Sequence, residues 1–161
     1  MTDTASLVEV HIVGMPLDAY REAAEHGDEL LREFALVHES DAAIPRRLLE
    51  LVERLRNRFS GFTTGQEAEL RAALERGDER IDLVYRIPAD AKPGVVELGV
   101  MLDEADDFCR EGTDLLTLAT PPRALAFRQW FLDQFVRQID GLDPTLWEEP
   151  DEGVQPTQAG S

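Results

Sequence analysis

Apolar and polar residues alternate from Leu7 to Val13, with Val8, Val10 and Ile12 on one side and Glu9 and His11 on the other, the period-2 pattern of a half-buried strand. Gly14 and Pro16 close it, and from Pro16 the period becomes that of a helix running to about His38, with Tyr20, Ala24, Leu30, Leu31 and Phe34 on one side. After a break at Asp41 to Pro45, the spacing of Leu48, Leu51, Val52, Leu55 and Phe59 predicts a second helix ending at Gly61. Thr64-Gly65-Gln66-Glu67 has the form of a capping box for a short charged helix that stops at Gly77. Ile81 to Ile87 alternates again, and Pro88 ends this second strand.

Pro93 to Glu111 predicts a fourth helix with Val95, Leu98, Leu102, Ala105 and Cys109 in register. Leu115 to Ala119 fits a third strand or a buried loop. Thr120-Pro121-Pro122 then starts a last helix, a hydroxyl cap followed by proline in the first turn, that runs to about Asp140 and stops at Gly141. These elements predict a mainly helical α+β domain, about five helices packed with a small sheet of two or three short strands. Residues 1–144 form the domain, and the acidic, Pro- and Gly-containing residues 145–161 are expected to be a disordered tail.

Composition narrows the partners. The 161 residues carry 16 Lys and Arg against 33 Asp and Glu, a net charge of −17 that disfavours nucleic acid and an anionic membrane surface. Cys109 is the only cysteine, so an intrachain disulfide is excluded and a reducing cytoplasm fits. No stretch approaches the roughly 20 apolar residues of a membrane span. Phosphate-cradling loops are missing too, with Lys92 the only lysine. No cofactor is implied.

Three groups of residues are candidates for chemistry. Glu22, His26, Glu29 and Glu33 form one stripe on the first helix, the residue types that hold metals in helical bundles. Stepping about 100° per residue turns that stripe away from the apolar side, so a solvated face is expected. Asp103, Glu104, Asp106 and Asp107 cluster on the fourth helix, where Asp106 lies at the edge of the apolar stripe, while Arg128 sits near the middle of the apolar arc of the last helix. A charge on an apolar face must be neutralised or reach water, so Asp106 and Arg128 are expected to pair. Asp103 and Asp106 beside Arg128 are also the acid/base candidates of an enzymatic alternative. Trp130 falls on the polar side of the last helix near Arg123 and Arg137, a combination enriched at binding hot spots. Arg46, Arg47, Arg54, Arg56 and Arg58 make the second helix basic, suiting acidic neighbours within the fold or on a partner.

Three runs carry a resemblance: Leu102 to Arg110, Leu115 to Pro122, and Phe127 to Gln138, together with Gly14-Met15-Pro16 and the segment from Glu25-His26 to Arg32-Glu33. Over roughly residues 8 to 140 the chain resembles a group of small acidic actinobacterial proteins that accompany partner-switching components: anti-sigma kinases, their antagonists and serine phosphatases. The chain lacks the Asn-containing and Gly-rich nucleotide boxes of the kinases. The resemblance therefore implies an accessory or regulatory binder and leaves open whether two copies pair; the helical wheel, not the resemblance, makes Trp130, Arg123 and Arg137 the expected contacts for a protein partner. A carboxylate enzyme and a metal-binding helical protein are the alternatives.

Overall fold

The computed structural model describes residues 7–36, 43–111 and 119–150. Strand β1 (Leu7–Pro16) leads into α1 (Leu17–Ala35), α2 (Ala43–Phe59), α3 (Thr64–Arg76), β2 (Arg80–Pro88), α4 (Lys92–Glu111) and α5 (Pro122–Ile139), with single 3-10 turns before α3 and α4. This is the mainly helical α+β arrangement that the periodicities predict, with five helices and a two-stranded antiparallel sheet among the described residues. Most of the Leu115 to Ala119 segment lies outside them.

Cross-strand pairs set the two faces of the sheet. Val10 opposes Tyr85 and Ile12 opposes Leu83 on the core side, while Glu9 opposes Arg86 and His11 opposes Val84 on the outer side. The register slips between Ile12 and Met15, where Val13 and Gly14 both face Asp82 across the ladder. Gly14 takes φ +64°, a conformation that costs glycine little, and its N–H donates to Asp82 Oδ1 at 2.6 Å. The bulge exchanges inner and outer positions, so Met15, which strict alternation would turn outward, is fully buried.

Two apolar clusters fill the molecule. One lies between the sheet's inner face and α1, α3 and α5, where Phe127, Phe131 and Phe135 of α5 run toward Tyr85. The other joins α1, α2 and α4 through Leu30, Phe34, Leu48, Leu51, Met101, Ala105 and Cys109. Helix α2 runs antiparallel to α4, placing Arg47 at 4.0 Å from Glu104, Arg54 at 3.5 Å from Glu97 and Arg58 at 2.8 Å from Asp90. Three of the arginines of α2 are thus docked on acids of this chain. All these groups are exposed, and such pairs contribute about 0–1 kcal/mol each, so they align the helices more than they hold them.

Two helix starts differ from their sequence readings. Thr64 is already helical and Thr63 is the residue before α3; its hydroxyl meets Ser60 C=O at 3.2 Å and the Glu67 carboxylate at 3.4 Å, so neither side chain caps a backbone N–H. At α5 the preceding residue is Pro121, and the Thr120 hydroxyl is drawn to Asp106 instead of the helix N-terminus. The hydroxyl gives its proton to the buried carboxylate, a charge-assisted bond, whereas a helix start could offer it only N–H donors, and Pro121 and Pro122 have none.

The chain beyond α5 departs furthest from its sequence reading. Gly141 takes φ +90°, its N–H donates to Gln138 C=O at 3.0 Å, and Leu142 N–H donates to Arg137 C=O at 2.8 Å. This paired closure reverses the chain, and residues 142–150 return along α5 as a strap. Residues 145–150, assigned to a disordered tail on composition, belong to the packed structure through Trp147. Residues 151–161 lie outside the described residues.

Candidate functional site

Asp106 enters the core because Met101, Ala105 and Cys109 place its helix face against α1 and α2, and it is only 3% exposed. Its carboxylate is fully engaged. Oδ1 accepts from the Thr120 N–H at 3.1 Å and from the Thr120 hydroxyl, and Oδ2 lies 3.4 Å from Arg128 Nη2. The same Arg128 nitrogen reaches Asp103 Oδ1 at 2.7 Å, so the guanidinium bridges a buried and an exposed carboxylate. The pair inferred from two charges on apolar arcs is present in the structure.

His26 joins this network with Nε2 at 3.2 Å from Thr120 Oγ1. A carboxylate only accepts, so the Thr120 proton is directed to Asp106 and the Thr120 oxygen accepts from His26 Nε2–H. That polarity is opposite to the one a nucleophilic hydroxyl needs, in which histidine takes the proton. Asp106 spends its lone pairs on the start of α5 and on Arg128. The arrangement ties α1, α4 and α5 together at one point, and neither Asp103 nor Asp106 lines the adjacent cavity, of about 230 Å³. That cavity lies between α1 and α5, with Tyr20, Leu30, Phe127 and Phe131 around it and His26, Thr120 and Arg128 at its polar end.

The stripe on α1 is divided. Glu22 lies 3.4 Å from Arg123, His26 turns inward to Thr120, and Glu29 is exposed, so the three do not converge. Among the described residues no group of three or more His, Cys, Asp or Glu side chains is placed to hold a metal ion. Ala19 and Ala23 widen the apolar side marked by Tyr20, Ala24, Leu30, Leu31 and Phe34, so that His26, expected on the solvated face, lies at its edge.

Trp130, Arg123 and Arg137 share one side of α5, and each is engaged by the returning strap. Trp130 is half-buried, packs edge-on against Trp147 at 5.7 Å, and donates from Nε1 to Thr145 C=O at 3.0 Å. Arg123 makes a two-point contact with Glu149, Nε to Oε1 and Nη2 to Oε2 both at 2.9 Å, and lies 3.3 Å from Asp18. Arg137 Nε donates to Asp143 C=O at 3.1 Å. The polar side of the helix on which Trp130 falls is therefore covered in part by the chain's own strap. An isolated helical wheel takes no account of chain that folds back over the helix.

Gln134, absent from the sequence reading, is the centre of the contact. It is fully buried, accepts from Thr145 N–H at 2.9 Å through Oε1, and donates from Nε2 to Thr145 Oγ1 at 2.6 Å. One turn on, Gln138 donates to Gln134 Oε1 at 3.3 Å and binds the backbone of β1. Two amides four residues apart on the apolar side of α5 are the signal that could have marked them, since a buried amide needs partners. Glu149 is held down to about 2, chiefly by its hydrogen bonds with Arg123 and then with Trp147. The Arg123 guanidinium is raised by the same contact. Against protein-family models, curated proteins and solved structures alike, the chain has no match.

Proposed function

We propose that the protein is a non-enzymatic, cytoplasmic regulatory or accessory protein that acts by binding other proteins, in the setting of bacterial stress or sigma-factor partner switching that the sequence resemblance implies. One observation supports the reading above the rest: the Trp130, Arg123 and Arg137 side of α5 already grips an extended polypeptide segment, residues 142–150. Its contacts are of the kind found at protein interfaces, an aromatic anchor and a forked arginine–carboxylate bond around buried amides. The carboxylates of the Asp106 network, by contrast, do not line its neighbouring cavity. Among the described residues no helix is long and apolar enough to cross a membrane, and the −17 charge disfavours nucleic acid.

Affinity capture from the native host, comparing the wild-type chain with Trp130→Ala and Arg137→Ala, tests the reading. A defined set of proteins recovered by the wild type and lost with the variants is the expected result. Unchanged recovery would remove this surface from the function.

A further inference from the structure

The strap shows what chemistry its surface accepts. Thr145 and Trp147 are half-buried, Leu146 and Glu148 point outward, and Glu149 returns to Arg123, so the inward residues alternate as in an extended strand. Among the described residues no strand is paired with it. The surface reads backbone and side chains separately: Gln134 Oε1 takes the N–H and Trp130 Nε1 the C=O of one residue, Thr145. Gln134 Nε2 takes that residue's hydroxyl, Phe127 and Trp130 form a slot for the indole of Trp147, and Arg123 takes the carboxylate two residues later. A cleft of about 420 Å³ continues past Glu149, lined by Arg21, Arg80 and Arg123 together with Asp18, Asp78 and Glu79.

We propose that this face of α5 is a reader of extended segments with the pattern hydroxyl-x-aromatic-x-acid, that residues 142–150 occupy it as a tethered competitor, and that its partner is another protein presenting the same pattern in an exposed extended stretch. The proposal rests on the reading of the chain as a protein-binding regulator and names the chemistry of its partner. Every contact of the strap uses groups that an untethered segment can supply, and the arginine recognises the acid with two hydrogen bonds. A short tether acts as a competitor at roughly millimolar effective concentration, so the strap keeps weak ligands out and yields to a tighter one.

The test uses the full chain and a fluorescein-labelled peptide of the strap sequence, Leu-Asp-Pro-Thr-Leu-Trp-Glu-Glu-Pro. Trp147→Ala loosens the strap and leaves the slot, and it should bind the peptide about tenfold tighter or more than the wild type. Trp130→Ala removes the slot and should abolish binding. A strap with only a structural role makes both substitutions behave alike, and equal peptide binding by Trp147→Ala and wild type would overturn the proposal. If far-UV circular dichroism shows that Trp147→Ala does not fold, the exposed pair decides: an Arg123→Glu chain should prefer the E149R peptide over the native one, and no change in preference would overturn the proposal. A wild-type chain that sediments as a dimer, returned to monomer by Glu149→Arg, would assign the groove to a second copy and also overturn it. Capture of host proteins that depends on Trp130, without peptide binding, sinks this proposal and leaves the functional reading standing. The reverse outcome, peptide binding in the expected order with no host protein captured, upholds the groove's specificity and sinks that reading.

Discussion

Gln138 binds both backbone groups of His11: the His11 N–H donates to Oε1 at 2.7 Å, and Nε2 donates to the His11 C=O at 2.9 Å. A side-chain amide thereby stands where the next strand of a sheet would be. On the opposite edge Gln66 Nε2 donates to Val84 C=O at 2.6 Å, and His11 and Val84 are cross-strand partners. Both edges of the two-stranded sheet are closed at the same rung, which blunts the tendency of open edges to pair with other chains.

Gln138→Leu keeps the size of the side chain and leaves the outward N–H and C=O of His11 without partners beside the core. Leaving buried backbone groups unsatisfied costs about 1–3 kcal/mol, and Gln134 loses a donor as well. Chemical denaturation should show a loss of that size with little change in the denaturant slope, and the variant should aggregate faster on storage. Wild-type stability in Gln138→Leu would mean that water replaces the amide at no cost.

Asp106 and Arg128 are both largely buried, at 4% and 14% side-chain exposure, and breaking such a pair from one side leaves a buried charge. Asp106→Leu and Arg128→Leu should each destabilise the chain by about 3–5 kcal/mol, and the double substitution by clearly less than the sum. Urea melts of the three variants and the wild type complete the cycle. Additive losses would show that the two residues hold the fold through separate contacts, Asp106 through Thr120 and Arg128 through Asp103.

Cys109 is fully buried, and burial, with the Asp106 carboxylate nearby, pushes its thiol up to about 11. The thiolate is the reactive form, so a thiol reagent at pH 8 should leave the native chain unlabelled and react at once in denaturant. Labelling under native conditions should then follow the opening of the α1, α2 and α4 cluster, and a rate that tracks stability across the Asp106 and Arg128 variants would confirm it. Fast labelling of the native wild type would contradict the packing.

A charge that interrupts an apolar arc is legible in sequence, so periodicity alone pairs Asp106 with Arg128. Gln134 and Gln138 sit on an equally apolar face but carry no charge, and uncharged amides leave periodicity arguments undisturbed. The bulge at Gly14 escaped because it changes which residue faces inward, Met15 in place of its neighbour, without changing composition. Residues 145–150 were misread for a different reason. Acidic composition predicts solvation when the acids stand free, whereas Trp147 and Glu149 each have a fixed partner on α5, and contacts between distant residues are invisible to a local window.

Glu149 makes the strap sensitive to acid. The Arg123 guanidinium holds its carboxyl down to about 2, below the ordinary 4.5 of a glutamate, so the contact stabilises the docked strap fully above about pH 4.5 and is lost as the pH falls toward 2. Trp130 and Trp147 are the only two tryptophans and they touch each other across the contact between strap and α5, so intrinsic tryptophan fluorescence reports on that contact while the helices stay folded. Between pH 7 and 5 the emission should be constant; between about 4.5 and 2 it should move toward that of solvent-exposed indole. Glu149→Gln removes the titrating group and halves the arginine fork, so its emission at pH 7 should already be shifted toward the acid form and should change little on further acidification. Far-UV circular dichroism over the same range separates release of the strap from acid unfolding of the helices. An acid transition in Glu149→Gln identical in position and amplitude to that of the wild type would show that other carboxylates, not the Arg123–Glu149 contact, hold the strap in place.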